Sequence, residues 1–275
     1  MTKIHETASG ENPGGPSDPL VRTARDARGV VTLTLNRPRT FNALSAAMLD
    51  ALQAELDAIA HDDAARVVIL AAEGRAFCAG HDLKEMRAQP SLDHYQALFA
   101  QCTRVMLAIQ HLPVPVIARV QGIATAAGCQ LVAMCDLAVA ASDARFAVSG
   151  VTLGLFCSTP GVALSRNLSR KAAFEMLVTG EFIDAARAME QGLVNRVAEP
   201  AQLDAEVERL AASIVAKPRV AVAMGKALFY RQIEKNIAAA YEDAGRTMAC
   251  NMMDEAALEG VQAFIDKRPP DWAAR

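Results

Sequence analysis

A chain of 275 residues that is 52% hydrophobic is long enough to bury a sizeable core. Its net charge of −3 lacks the basic surplus of a nucleic-acid binder, and no apolar run approaches the length of a membrane span. The first twenty residues, Met1 to Leu20, place Glu6, Glu11 and Asp18 among Gly and Pro, too polar for a signal peptide and too acidic for a transit peptide, so they read as a loose tail. Six cysteines form no Cys-x-x-Cys and sit with no His at zinc-finger spacing, which predicts reduced, mostly buried thiols in a cytoplasmic protein.

Val31, Leu33 and Leu35 alternate with Thr32 and Thr34, the period of a strand that Asn36-Arg37-Pro38 ends. Ser45 then caps a helix whose apolar face is Met48, Leu49, Leu52, Leu56 and Ile59. Val67 to Ala72 reads as a buried strand. The spacing of Leu98, Phe99, Cys102, Val105, Met106 and Ile109 predicts a helix over 93–111, stopped by Pro113 and Pro115. Val116 to Val120 is a further strand, followed by a small-residue turn, a short apolar helix to Met134 and a strand over Leu137 to Ala141. This alternation predicts an α/β fold with parallel pairing. Beyond Asp184 the pattern turns helical, with a short strand over Leu193 to Val197. The divisions expected are a tail over 1–20, a core over 21–200 and a helical region over 201–275.

Two turns could carry chemistry. Phe77-Cys78-Ala79-Gly80-His81-Asp82-Leu83 follows the buried strand, and Gln121 to Gln130 lies between a strand and a helix. Ligands commonly bind beside such turns in α/β folds, and two backbone N–H groups aimed at one carbonyl oxygen make an oxyanion hole. Small residues also serve tight packing, and composition alone leaves both readings open.

Several segments, in order, resemble the crotonase (enoyl-CoA hydratase/isomerase) superfamily: Leu35-Asn36-Arg37-Pro38 with Asn42-Ala43-Leu44, Phe77 to Leu83, Gln121 to Asp136, Gly180 to Val197, and Phe264 to Arg268. Gly128 to Ala133 and Gly154 to Leu164 resemble, within it, the enoyl-CoA hydratase domain-containing protein 3 group. The resemblance implies the ClpP/crotonase-like fold, a superhelix of repeated ββα units with a helical C-terminal region. It implies an acyl-CoA thioester as ligand, CoA entering as part of the substrate with no metal and no bound cofactor, and a homotrimer or dimer of trimers. Carried over residue by residue, the oxyanion N–H groups belong to His81 and Ala127. Ala43, Ala79, Asp82, Leu83 and Lys84 fall at substrate-binding positions. Phe264 and Lys267 fall where a neighbouring subunit's CoA is contacted. On the residues alone, the His81 imidazole reads as an ordinary loop side chain.

The main departure lies at the two glutamates with which family hydratases activate water: Gln130 and Gly150 stand there. Glutamine exchanges no proton usefully near neutral pH, and glycine has no side chain. Cys157 is a speculative substitute, either a nucleophile or a buried thiol, and Asp93, His94 and Tyr95 are polar groups at a helix start beside the expected acyl pocket. Three readings follow: an enoyl-CoA hydratase or isomerase of reduced competence, a thioester hydrolase or decarboxylase on the same fold, and a non-catalytic acyl-CoA-binding protein. A serine hydrolase lacks a Gly-x-Ser-x-Gly elbow, and a dinucleotide fold lacks Gly-x-Gly-x-x-Gly.

Overall fold

The computed structural model describes residues 18–272. Most of the tail expected over 1–20 therefore lies outside the described residues; Leu20, at its end, packs against the core. In chain order the elements are β1 (Val21–Arg25), β2 (Val30–Leu35), α1 (Ala46–Ala60), β3 (Val67–Ala72), β4 (Ala76–Cys78), α2 (Leu83–Ala88) and α3 (Leu92–His111). β5 (Val116–Val120), β6 (Ile123–Thr125), α4 (Ala127–Met134), β7 (Leu137–Ala141), β8 (Arg145–Ala147), α5 (Ser158–Asn167) and α6 (Arg170–Thr179) follow. The chain ends with β9 (Ile183–Asp184), α7 (Ala185–Glu190), β10 (Arg196–Ala198), α8 (Leu203–Val215), α9 (Arg219–Gln232), α10 (Ile237–Met252) and α11 (Glu255–Ile265).

Each of the strands β3, β5 and β7 is followed by a second, three-residue strand, and these form two sheets. The larger runs β1-β2-β3-β5-β7-β10, antiparallel only between β1 and β2; the smaller runs β4-β6-β8-β9, antiparallel only between β8 and β9. The ββα repeat of the crotonase fold is thus present. Val67, Val68, Leu70, Val116, Ile117, Val139 and Ala140 are buried in the larger sheet, so β3 and β7 read as unbroken apolar runs and β5 is interrupted at Arg119.

Helix ends follow local chemistry. Ser45 Oγ accepts the Met48 N–H, and Asp184 accepts the Arg187 N–H. Ser91, rather than Asp93, caps α3 through the His94 N–H. The short strand expected over 193–197 is shifted to Arg196–Ala198, after Gly192 ends α7.

Packing does not change at residue 200. α8 buries Leu203, Val207, Leu210 and Ala211 in the same core as the strands. The change comes with α9, α10 and α11, which bury only Lys226, Asp243 and Ala263. α9 is tied down by a buried cation: Lys226 Nζ donates to Asp136 Oδ2 (2.7 Å) and to the carbonyls of Ile109 and Val114, and Tyr230 donates to Asp136 Oδ1. No helix among the described residues is long and apolar enough to cross a membrane.

Candidate active site

The two small-residue turns meet at the C-terminal ends of β4 and β6, one on each strand. Gly80 and Gly128 permit this. A Cβ on Gly128 would lie 2.1 Å from the Cys78 carbonyl oxygen, and one on Gly80 would lie 3.2 Å from the Ala127 nitrogen. Gly80 also takes φ +90°, which side chains disfavour.

The His81 turn is held from outside by the segment after β2. Asn42, fully buried, accepts the Arg37 N–H and donates to the Glu73 and Ala76 carbonyls. Arg37 reaches Asp82 at 3.0 Å, and Asp82 caps α2 through the Lys84 and Glu85 N–H groups, which together hold its carboxyl below the ordinary range. Glu85 in turn accepts the Ala46 N–H at the start of α1. Leu44 bridges to the turn: its N–H donates to the Gly80 carbonyl and its carbonyl accepts the Asp82 N–H. In such a parallel bridge the intervening residue, His81, turns its own N–H to the other side. Among the described residues, neither that N–H nor the N–H of Ala127 at the first position of α4 donates to a protein acceptor.

Ala79, His81, Leu83, Ala126 and Ala127 line a cavity of about 430 Å³ together with Met86, Phe99, Ser149, Gly150, Leu153, Leu155, Phe156 and Cys157, and the first residues of α5 close it. The wall is largely apolar. Leu153, Leu155 and Phe156 are exposed within the stretch 152–156, of which Leu155 and Phe156 belong to the Gly154 to Leu164 segment and Leu153 lies just before it. From α3 the cavity takes Phe99, not Asp93, His94 or Tyr95, whose hydroxyl donates to the Met86 carbonyl.

The second turn carries a strained backbone just ahead of its oxyanion residue. Ala127 has a negative φ, whereas Ala126 takes φ 49°, ψ −119°, the first central position of a type II′ turn and normally a glycine conformation. The two positions where the resemblance implies glutamates differ. Gln130 is 5% exposed, absent from the cavity wall, with Oε1 unpartnered. Gly150 lines the cavity but has no room for a side chain: a Cβ would meet the Leu155 carbonyl oxygen at 2.4 Å and Cys157 Sγ at 2.7 Å. Cys157 Sγ accepts the Gly150 N–H at 3.3 Å, and burial outweighs that bond to push the thiol above its ordinary value. A thiol so placed is a poor nucleophile.

His81 is half-buried, with its ring edge-to-face against Phe99 at 5.5 Å. Neither ring nitrogen has a partner or contact with solvent. An unpaired buried polar group typically costs about 1–3 kcal/mol. Burial holds the imidazole below its ordinary 6.5, against the opposing influence of the Leu44 carbonyl and Glu85.

The remaining expected residues are not brought to the cavity. Ala43 is buried, with its carbonyl on Arg37, and Asp82 is engaged as described. Lys84 is exposed on α2. Phe264, 85% exposed, and Lys267 belong to the end of the chain that folds back toward the start of β3: Gly260 abuts Trp272, Trp272 donates to the Ala216 carbonyl, and Arg66 donates to the Val215 and Lys217 carbonyls. His81 lies beyond the other end of β3. Among the described residues, no group of three His, Cys, Asp or Glu side chains is placed to hold a metal.

The description "Enoyl-CoA hydratase/isomerase" matches residues 25–275. The chain belongs to the enoyl-CoA hydratase/isomerase family. Family members act on acyl-CoA thioesters. The crystal structure of an enoyl-CoA hydratase from Mycobacterium smegmatis is 70% identical, with a TM-score of 0.93, covering 94% of this chain and all of that one. That of human enoyl-CoA hydratase domain-containing protein 3 is 44% identical, with a TM-score of 0.89, covering 92% of this chain and all of that one. The rat protein of that name is 45% identical over 95% of this chain and 87% of its own length. Within the enoyl-CoA hydratase/isomerase family the chain falls with this group. The expectation of a cytoplasmic protein is overturned, because the rat, mouse and human relatives are named as mitochondrial. Reduced thiols and an acidic leading segment are compatible with more than one compartment, so they could not decide the question.

Proposed function

We propose that the chain binds an acyl-CoA thioester with its carbonyl oxygen on the N–H groups of His81 and Ala127 and its acyl chain in the apolar cavity beyond them. The observation that carries this reading is the pair of unengaged backbone N–H groups on adjoining turns in the wall of one cavity. Such donors favour a carbonyl carbon that gains charge on oxygen, each contributing about 3–4 kcal/mol to an enolate-like or tetrahedral state. CoA enters as part of the substrate. The exposed apolar side chains of α9, α10 and α11, among them Phe229, Ile237, Tyr241, Met248 and Phe264, form the contact between subunits, which brings Phe264 and Lys267 of one copy to the CoA of another.

Efficient addition of water to an enoyl thioester is not part of this reading. Gln130 supplies no acid or base, and Gly150 is walled in by Leu155 and Cys157. The same inventory favours, as a second reading, a protein that binds acyl-CoA without turning it over. The test is Ala127→Pro. Proline suits the first position of a helix, removes the N–H and sets ring carbons where the carbonyl oxygen would lie. Butyryl-CoA affinity by calorimetry is expected to fall at least tenfold, with far-ultraviolet circular dichroism unchanged. Unchanged affinity in a folded variant sinks the oxyanion reading, and undetectable wild-type binding sinks the function. Hydration of crotonyl-CoA, followed by loss of enoyl absorbance, is expected to stay near background.

A further inference from the structure

The cavity beyond the oxyanion N–H groups has no Asp, Glu, Lys or Arg in its wall. Its histidine offers no polar atom either: both His81 ring nitrogens are shut off from solvent, so the ring meets the cavity through carbon. Lys84 and Arg87 on α2 are exposed and absent from the wall, and Arg37 is held by Asp82. A helix start favours anions when its N–H groups are free. At the start of α5, which closes the cavity, Ser158 spends its N–H on the Phe156 carbonyl and Pro160 has none. The polar side chains that remain in the wall are the hydroxyls of Ser149, Ser158 and Thr159 and the protonated thiol of Cys157, all uncharged near neutral pH.

The 149–157 segment makes the apolar side. The Leu155 N–H bonds the Gly150 carbonyl and the Gly150 N–H bonds Cys157 Sγ, which folds the segment back over Gly150. Leu153, Leu155 and Phe156 line the cavity, yet they are 67%, 48% and 46% exposed. Apolar side chains so placed leave water when an apolar chain lies along them. A volume of about 430 Å³ holds about fourteen water-sized groups at about 30 Å³ each. A butyryl thioester fills less than half of that space, and an octanoyl thioester fills most of it.

Resting on the acyl-CoA reading, we propose that the site selects a medium-length aliphatic acyl chain with an uncharged end, and that the wall of Leu153, Leu155 and Phe156 makes the selection. Length is read by burial: each methylene that leaves water adds about fourfold in affinity. Charge is rejected by desolvation, because a terminal carboxylate in this wall loses its water and meets no cation.

The experiment is a series of wild-type affinities by calorimetry, with octanoyl-CoA set against butyryl-CoA and adipyl-CoA against hexanoyl-CoA. The second pair has equal carbon counts and differs in the terminal carboxylate. Octanoyl-CoA is expected to bind about tenfold tighter than butyryl-CoA or better. Adipyl-CoA is expected to bind about tenfold weaker than hexanoyl-CoA or worse. Phe156→Arg sets a cation in the wall and is expected to move the adipyl-to-hexanoyl affinity ratio about tenfold toward adipyl-CoA, with far-ultraviolet circular dichroism unchanged. Equal wild-type affinities for octanoyl-CoA and butyryl-CoA overturn the proposal and leave the acyl-CoA reading standing. So does adipyl-CoA bound as tightly as hexanoyl-CoA. An unchanged ratio in folded Phe156→Arg overturns the role given to the wall. Binding of no member of the series removes the acyl-CoA reading itself. Should Phe156→Arg fail to fold, the wild-type series decides alone.

Discussion

Cys157 Sγ stands 2.7 Å from where a side chain on Gly150 would begin, and it accepts the Gly150 N–H. Placing a glutamate at residue 150 is therefore not a simple exchange. The nearest obstacle is the Leu155 carbonyl, at 2.4 Å, which belongs to the backbone and is itself placed by the Leu155 N–H bond to the Gly150 carbonyl. Gly150→Ala is expected to cost about 1–3 kcal/mol, read as a lower urea midpoint. Gln130→Glu, Gly150→Glu is expected to unfold earlier still and to gain no crotonyl-CoA hydration. Hydration by a folded double variant would mean that the 149–157 segment yields more readily than its contacts imply.

Ala126 holds a backbone conformation that ordinarily costs a non-glycine residue about 1–3 kcal/mol. Ala126→Gly releases that strain and loses part of the gain to a freer unfolded chain, about 0.4–1 kcal/mol. A net stabilisation of about 1 kcal/mol is expected, measured as a higher thermal midpoint. An equal or lower midpoint would show that the Ala126 methyl group contributes more by packing than its backbone costs.

Lys226 and Asp136 lie 90 residues apart in sequence and are nearly buried together. Lys226→Met strands the Asp136 carboxylate and removes the donor to the Ile109 and Val114 carbonyls. Breaking a buried pair from one side typically costs about 3–5 kcal/mol, which chemical denaturation would register. Because this pair anchors α9, limited proteolysis of the variant is expected to cut first between α8 and α9. A loss below about 1 kcal/mol would mean that Tyr230 and the Val116 N–H suffice to hold Asp136.

Burial pushes the thiols of Cys78, Cys102 and Cys129 from an ordinary 9 up to about 12. The sign follows directly. Above pH 9 the unfolded chain releases these protons while the folded chain keeps them, so stability is intact below pH 9 and falls as pH rises toward 12. The thermal midpoint is expected to decline over that window, less steeply in Cys102→Ala relative to its own value at pH 8. At pH 7.5 iodoacetamide is expected to label the exposed Cys250 first, as read by mass spectrometry of peptides. Early labelling of Cys157 would contradict its protonated, sheltered state.

Much of this protein is legible in the order of its residues. The period-2 alternation of Val31, Leu33 and Leu35, the apolar runs of β3 and β7, and the helical spacing along α1 and α3 each record which face meets the core. The two glycine-bearing turns and the substitutions at Gln130 and Gly150 are equally plain. The second sheet is not, because strands of three residues such as β4, β6 and β8 are too short to show a period.

The rest of the site was decided by tertiary contact. Asn42 and Arg37 carry the family signature, yet their work is to clamp the His81 turn from across the chain, and no spacing rule links them to it. The strain at Ala126 depends on how the turn enters α4. The closure of the Gly150 position depends on where Leu155 and Cys157 return, and the isolation of the His81 ring depends on Phe99 arriving from α3. The sequence thus determined which residue types face the core and which backbone turns are possible, since both follow from local periodicity and steric freedom. Only the folded chain decided which of those residues share a cavity, because that rests on contacts between segments distant along the chain.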